Sequence, residues 1–146
     1  ILGYLFSHIP LGLSVIFKLN LLAAIYTSVA VYFFVKSAKI FLQFASITFS
    51  EKITAAIVSV AGIELAFSQT FWAQSTSVEV YSLHILLLNA AIYFFLKALN
   101  SGTNTSWIIF ASGLALGFSK HLTTFLLLPA LAYLYFDKYH LSKSGL

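Results

Sequence analysis

The stretch WIIFASGLALGFSKHLTTFLLLPALAYLYF, Trp107 to Phe136, decides how the chain is organised. It is apolar throughout except for Ser119, Lys120 and His121 near its middle. As one helix of about 30 residues it would be roughly 45 Å long, well beyond a hydrocarbon core of about 30 Å. It would also hold a lysine near its centre, which is costly in lipid. Two short helices turning at Lys120 and His121 avoid both costs, and Gly117 suits a helix C-terminus just before the turn.

Composition supports a membrane setting. The chain has 146 residues, of which 60% are hydrophobic and 8% charged, and its mean hydropathy is +0.95. Soluble domains carry about 25% charged residues, so the excess apolar surface needs lipid to cover it. The 15 Phe and 8 Tyr suit aromatic belts at the membrane interfaces. The net charge of +4 comes from scattered lysines without arginine, which argues against a nucleic-acid partner. There is no cysteine, so disulfides and thiolate metal sites are excluded. The chain starts Ile-Leu-Gly with no Met, which reads as a piece of a longer membrane protein, its partner being the remainder of its own chain.

Working outward from Trp107, the pattern predicts an all-α, multi-pass transmembrane bundle of about five spans plus an N-terminal interfacial segment. Residues 1–18 form the outward interfacial segment, 19–136 the membrane helices and 137–146 a cytoplasmic tail. The spans run over Leu19–Val35, Ile53–Gln69, Leu83–Leu96 and the two halves of Trp107–Phe136. Ile40–Phe49 reads as a connector, and Thr48-Phe-Ser-Glu51 has capping-box spacing. Asn104 or Thr105 could cap the helix after the turn-rich Asn100–Ser106. With five spans, Lys36, Lys39, Lys52, Lys97, Lys138 and Lys143 fall on one side, with Lys18 and Lys120 on the other. The positive-inside rule makes the six-lysine side cytoplasmic and puts Phe71–His84 outside.

The residues that could carry chemistry gather near the outward loops. Thr76-Ser-Val-Glu79 is a capping box for the third span, yet Glu79 is equally a carboxylate lining an outward cavity. Tyr81, His84, Phe71 and Trp72 fit an interfacial belt. Glu64 sits in the apolar run AGIELAF, and an intramembrane carboxylate is expected to face protein or water. At helical spacing Glu64, Ser68, Phe71 and Trp72 share one face. Lys120 and His121 form an outward polar pair, a phosphate contact or a snorkelling lysine at a turn. Gly113 and Gly117 have the GxxxG spacing of close helix approach. No HExxH, CxxC or paired-His spacing occurs, so no protein-only metal site and no cofactor is expected within this chain.

Four segments carry a family resemblance: LGYLFSHIPLG, FKLNLLAAIYTSVAVYFF, AFSQTFWAQSTSVEVYSLHILLLNAAIYFFLKAL and SGLALGFSKHLTTFLLLPALAYL. FW-x-Q followed by EVY-x-L, and HLT-x-x-LLLPA, are the most specific parts. Together they resemble a domain-of-unknown-function family of bacterial multi-pass proteins related to the protein O-mannosyltransferases, with the GT-C glycosyltransferase fold. The resemblance implies a bacterial inner-membrane protein, a polyprenyl-phosphate sugar donor, transfer at the outer face and a protein or glycan acceptor. It also implies a catalytic aspartate in an outward loop upstream of Ile1. The substrate-binding positions that it carries over are Trp72, Gln74, Glu79, Tyr81 and His121. Lys120 and Glu64 depart from the family pattern, so their roles rest on chemistry alone. The alternatives are a transporter, with Glu64, Asn89 and Glu79 lining a pathway, and a non-catalytic membrane scaffold.

Overall fold

The computed structural model describes residues 2–76 and 81–139. Among these every regular element is helical: α1 (Leu2–Ser7), α2 (Val15–Phe44), α3 (Glu51–Phe67), α4 (Gln69–Thr76), α5 (Tyr81–Ser101), α6 (Asn104–Lys120), a 3-10 helix (Leu122–Leu127) and α7 (Leu128–Lys138). The chain is therefore an all-α bundle. α5 is its centre, packing most extensively on α2 and α6.

Helical segments stand at all five expected positions, but their reach differs. Only α2 and α5 are long and apolar enough to cross a membrane, with a third crossing if the bent pair α3–α4 counts as one span. α6 has 17 residues, about 26 Å of helix. The first span is longer than its apolar run suggests. Ser14 caps α2 by accepting the Phe17 N–H at 3.3 Å, so the helix starts at Val15, not Leu19. It then runs through Lys36, Lys39 and the expected connector to Phe44. α5 likewise continues past Lys97 to Ser101. Long lysine side chains permit this, because the stem lies along the helix while the ammonium reaches the rim.

Local signals explain the breaks. The cap of α3 is Ser50 rather than Thr48: its hydroxyl accepts the Ile53 N–H at 3.4 Å, and Glu51 opens the first turn. Thr103, not Asn104 or Thr105, precedes α6. Gly102 supplies the left-handed φ of +64° between α5 and α6, and its N–H donates to the Ala98 carbonyl at 2.8 Å. Lys18, expected at an interface, is buried in α2. Its ammonium donates to the carbonyls of Ser7 and Ile9, both at 2.8 Å, and so ties the end of α1 to α2.

The turn at Lys120–His121 forms as the sequence requires. α6 ends at Lys120, and the His121 N–H closes on the Gly117 carbonyl at 3.0 Å. Gly117 leaves room for Thr124, whose side chain would lie 3.3 Å from an added Cβ. A Cβ added to Gly113 would lie 3.8 Å from Ala91 Cβ of α5, a close helix approach. The tightest approach is elsewhere. A Cβ on Gly62 of α3 would come within 2.5 Å of Val35 Cγ2 on α2.

The two ends of the bundle differ chemically. The Lys39–Glu51 pair at 3.9 Å joins the end of α2 to the start of α3. Lys138 lies 5.6 Å from the Phe44 ring, which brings the end of α7 to the same place. Lys36 lies over Tyr32 and Lys97 over Tyr93 and Phe94, at 5.4 to 5.9 Å. Beneath them Phe95, Leu96, Leu99 and Leu131 form the buried cluster. Lys143 lies outside the described residues. The opposite end holds Lys18, α4, the start of α5 and the Lys120 turn.

Two predictions follow from this arrangement. Gly62→Ala should lower thermal stability despite alanine's helix-propensity advantage of about 1 kcal/mol, because β-branched Val35 cannot rotate aside. Adding Val35→Ala should restore it; a single variant as stable as the parent would show that α3 does not seat here. Separately, Lys97→Cys and Lys138→Cys in the cysteine-free chain should label only from the cytoplasm, and Lys120→Cys only from the opposite side. Labelling of all three from one side would overturn the lysine-based orientation.

Candidate functional site

At the end of the bundle opposite the aromatic-lysine rim, the first turn of α5 meets the turn between α6 and the 3-10 helix. Tyr81 and His84 come from α5, and His121 and Thr123 from the turn. The His121 ring is 5.5 Å from Tyr81 and 5.3 Å from His84, centre to centre. Thr123 Oγ1 lies 2.9 Å from His121 Nδ1 and 3.2 Å from His84 Nε2, so one hydroxyl bridges two imidazoles.

A backbone donor sets the tautomer of His121. His121 is the N-cap of the 3-10 helix, and its Nδ1 accepts the Thr123 backbone N–H at 3.3 Å. The proton of neutral His121 is therefore on Nε2. The Thr123 hydroxyl lies between His121 Nδ1 and His84 Nε2. The other ring nitrogen of His84 is Nδ1. That atom is buried and has no hydrogen-bond partner among the described residues.

Of the residues singled out from the sequence, Tyr81 and His121 are brought together, and exposed Lys120 adjoins them in the chain. Glu79 and its capping box lie outside the described residues. Thr76 ends α4, where its hydroxyl donates back to the Trp72 carbonyl at 3.1 Å. Trp72 and Gln74 are helical. Trp72 is exposed and stacks on Phe67 at 5.5 Å with an interplanar angle of 17°; Gln74 is half-buried with Oε1 unpartnered.

Glu64 departs from expectation. Its side chain is exposed and has no partner among the described residues, so it does not turn toward the neighbouring helices of this chain. Nor does it share a face with Phe71 and Trp72. Ser68 adopts extended backbone (φ −62°, ψ 141°), ends α3 and turns α4 by 63°, which leaves Phe71 buried and Trp72 exposed.

The sequence reading placed His84 in an aromatic belt and did not single out Thr123 beyond its motif. Their partnership spans 39 residues, so no local spacing could reveal it. The HLT order at the turn was the available signal, since it puts a capping histidine two residues before a hydroxyl.

These helices and their apolar surfaces define an all-α membrane protein. Within that class, residues 1–144 match the family model described as the protein O-mannosyl-transferase TMEM260 N-terminal domain. The chain belongs to this family. No curated protein and no solved structure matches it.

His121→Ala should destabilise the turn by about 1 kcal/mol, the usual value of an N-cap, while His121→Asn should retain most of that stability. Thermal unfolding of the three proteins in detergent measures the difference; equal loss in both variants would mean that the ring, not the cap, holds the turn.

Proposed function

We propose that this chain is part of an integral, multi-pass glycosyltransferase of GT-C type that uses a polyprenyl-phosphate sugar at the outer membrane face. The observation that carries the reading is membership, over residues 1–144, in the O-mannosyltransferase family domain. The polar end of the bundle is its chemical counterpart. Exposed Trp72 and Tyr81 offer faces for sugar rings and Lys120 offsets phosphate charge. From its place in the sequence, Glu79 is assigned to accept from hydroxyl groups of sugar or acceptor. The acceptor is a protein or glycan. The transport reading lacks a comparable observation: the Asn89 amide donates to the Ile85 carbonyl of its own helix at 2.9 Å.

The test is transfer by the full-length protein from polyprenyl-phosphate mannose. Glu79→Gln keeps a capping side chain and removes the charge. It should leave thermal stability unchanged and lower transfer by at least about tenfold, or roughly 1.4 kcal/mol of transition-state stabilisation. Tyr81→Phe, which keeps the ring, should lose less. Wild-type turnover in Glu79→Gln would return this residue to a capping role.

A further inference from the structure

From Leu2 to Phe17 the chain carries no charged residue, and Lys18 follows as a buried ammonium near the start of α2. Lys36 stands at the aromatic-lysine rim of the same helix, 18 positions later. That separation is about 27 Å of helix, against a hydrocarbon core of about 30 Å. With Lys36 at one rim, Lys18 therefore falls just inside the other edge of the core. A lysine at that depth needs partners or a short reach to water. Lys18 has partners: its ammonium donates to the carbonyls of Ser7 and Ile9, both at 2.8 Å. The end of α1 thus lies over Lys18. α1 is seated so closely on α2 that a Cβ added to Gly3 would lie 3.2 Å from Leu19 Cδ2.

The segment before Lys18 is turned apolar side out. Leu2, Tyr4 and Leu5 on α1, Leu11 in the turn, and Ile16 and Phe17 at the start of α2 are all exposed. Its polar side chains fold back on the backbone instead. The Ser7 hydroxyl donates to the Tyr4 carbonyl at 2.7 Å, and His8 Nδ1 donates to the same carbonyl at 2.9 Å. Ser14 Oγ accepts the Phe17 N–H at 3.3 Å. Water would satisfy these groups without such pairing; the acyl region of a bilayer would not. The Tyr4 and His8 rings, 4.3 Å apart, are the amphipathic members of the segment and suit headgroup depth.

We propose that residues 2–17 dip into the bilayer leaflet at the His84 end of the bundle, with Lys18 as the clasp that holds them there. Their partner is the acyl region of that leaflet. It is continuous with the lipid around α2, which is long and apolar enough to cross a membrane. The clasp meets a need on both sides. Ser7 is the last residue of α1, where a helix leaves carbonyls unpaired and favours a cation. Lys18 in turn gains two acceptors where water is scarce. Without the ammonium these carbonyls would need water, and the segment would rise toward the surface to meet it.

The experiment uses the full-length protein in phospholipid nanodiscs, with a single spin label attached through Leu5→Cys or Ile16→Cys and no other cysteine. Relaxation of the label by dissolved oxygen, which concentrates in the acyl region, is compared with relaxation by a water-soluble nickel chelate. Oxygen should be the stronger relaxant at both positions. Lys18→Met should reverse that order at Leu5 and leave it unchanged at Ile16, which belongs to α2 itself. Lys18→Arg keeps a charged donor and should preserve the original order at Leu5. Should Lys18→Met fail to fold, Lys18→Gln serves instead: its shorter side chain loses the two-carbonyl clasp, and a smaller shift toward the nickel chelate is expected at Leu5. Stronger relaxation of the Leu5 label by the nickel chelate with Lys18 intact would overturn the dipping segment. A Leu5 label that neither relaxant reaches would mean that protein, not lipid, covers it, and would overturn the proposal equally. An unchanged order at Leu5 in Lys18→Met, or no shift in Lys18→Gln, would overturn the clasp.

Discussion

The helix α5 must bury two sides at once, between α2 and α6, and the rest of the bundle is arranged around that requirement. Lipid tails are as apolar as leucine, so burial alone does not drive helices together in a membrane. Close van der Waals contact does, and it favours small residues. The buried positions of α2 are largely small: Ala23, Thr27, Ala30 and Ser37, at spacings that keep them on one face. α5 contributes Ala91 and Ala98, with Gly113 of α6 laid against Ala91. Larger side chains enter the buried core where α5, α6 and α7 meet, as with Phe95, which packs on Phe110 at 5.0 Å. α5 packs on both α2 and α6, and Ser82 and His84 in its first turn are buried. Tyr81 and His84 inherit their positions from it.

The two ends of the bundle spend their polar groups differently. At one end lysines lie over aromatic rings, an arrangement that suits a boundary between lipid and water. Their charges meet few internal partners, Glu51 with Lys39 being the ion pair there among the described residues. At the other end polar groups are turned inward. Lys18 gives its ammonium to two carbonyls, and Thr123 links two imidazoles. Internal polar groups need partners in a way that rim lysines do not. That asymmetry makes the His84 end the chemically constrained one.

Much of the helical plan was legible because each feature carried a large local penalty for the alternative. A lysine at the centre of a 45 Å helix is such a penalty, and the turn at His121 is where the sequence puts it. Boundaries set by apolar runs were less legible. Lys36, Lys39 and Lys97 are good helix formers whose charges reach past the helix, so α2 and α5 continue through them. Thr48 and Ser50 both have the chemistry of a cap, and only the backbone geometry chooses Ser50. The break at Ser68 has neither glycine nor proline to announce it. Gly62, with no glycine partner at i±4, packs more tightly than the Gly113–Gly117 pair that matched a motif. The candidate site was half legible: Tyr81 and His121 stood out as aromatic and polar residues at turns, whereas His84 gains its meaning only from Thr123.

The break at Ser68 also accounts for the exposure of Glu64. A helix running straight on to Thr76 would place this carboxylate about 18 Å from its end, where insertion costs roughly 2.5 kcal/mol or more. α3 instead stops at Phe67 and the chain bends by 63°. Four residues of helix rise about 6 Å, so Glu64 stands within about one turn of the place where the chain leaves the helix axis. The cost of a charge falls steeply toward the interface, and a side chain one turn from a helix end can reach water there. Phe67 and Trp72, stacked across the bend, mark the same level with the aromatic pair expected of an interfacial belt. On that geometry Glu64 needs no partner within the bundle.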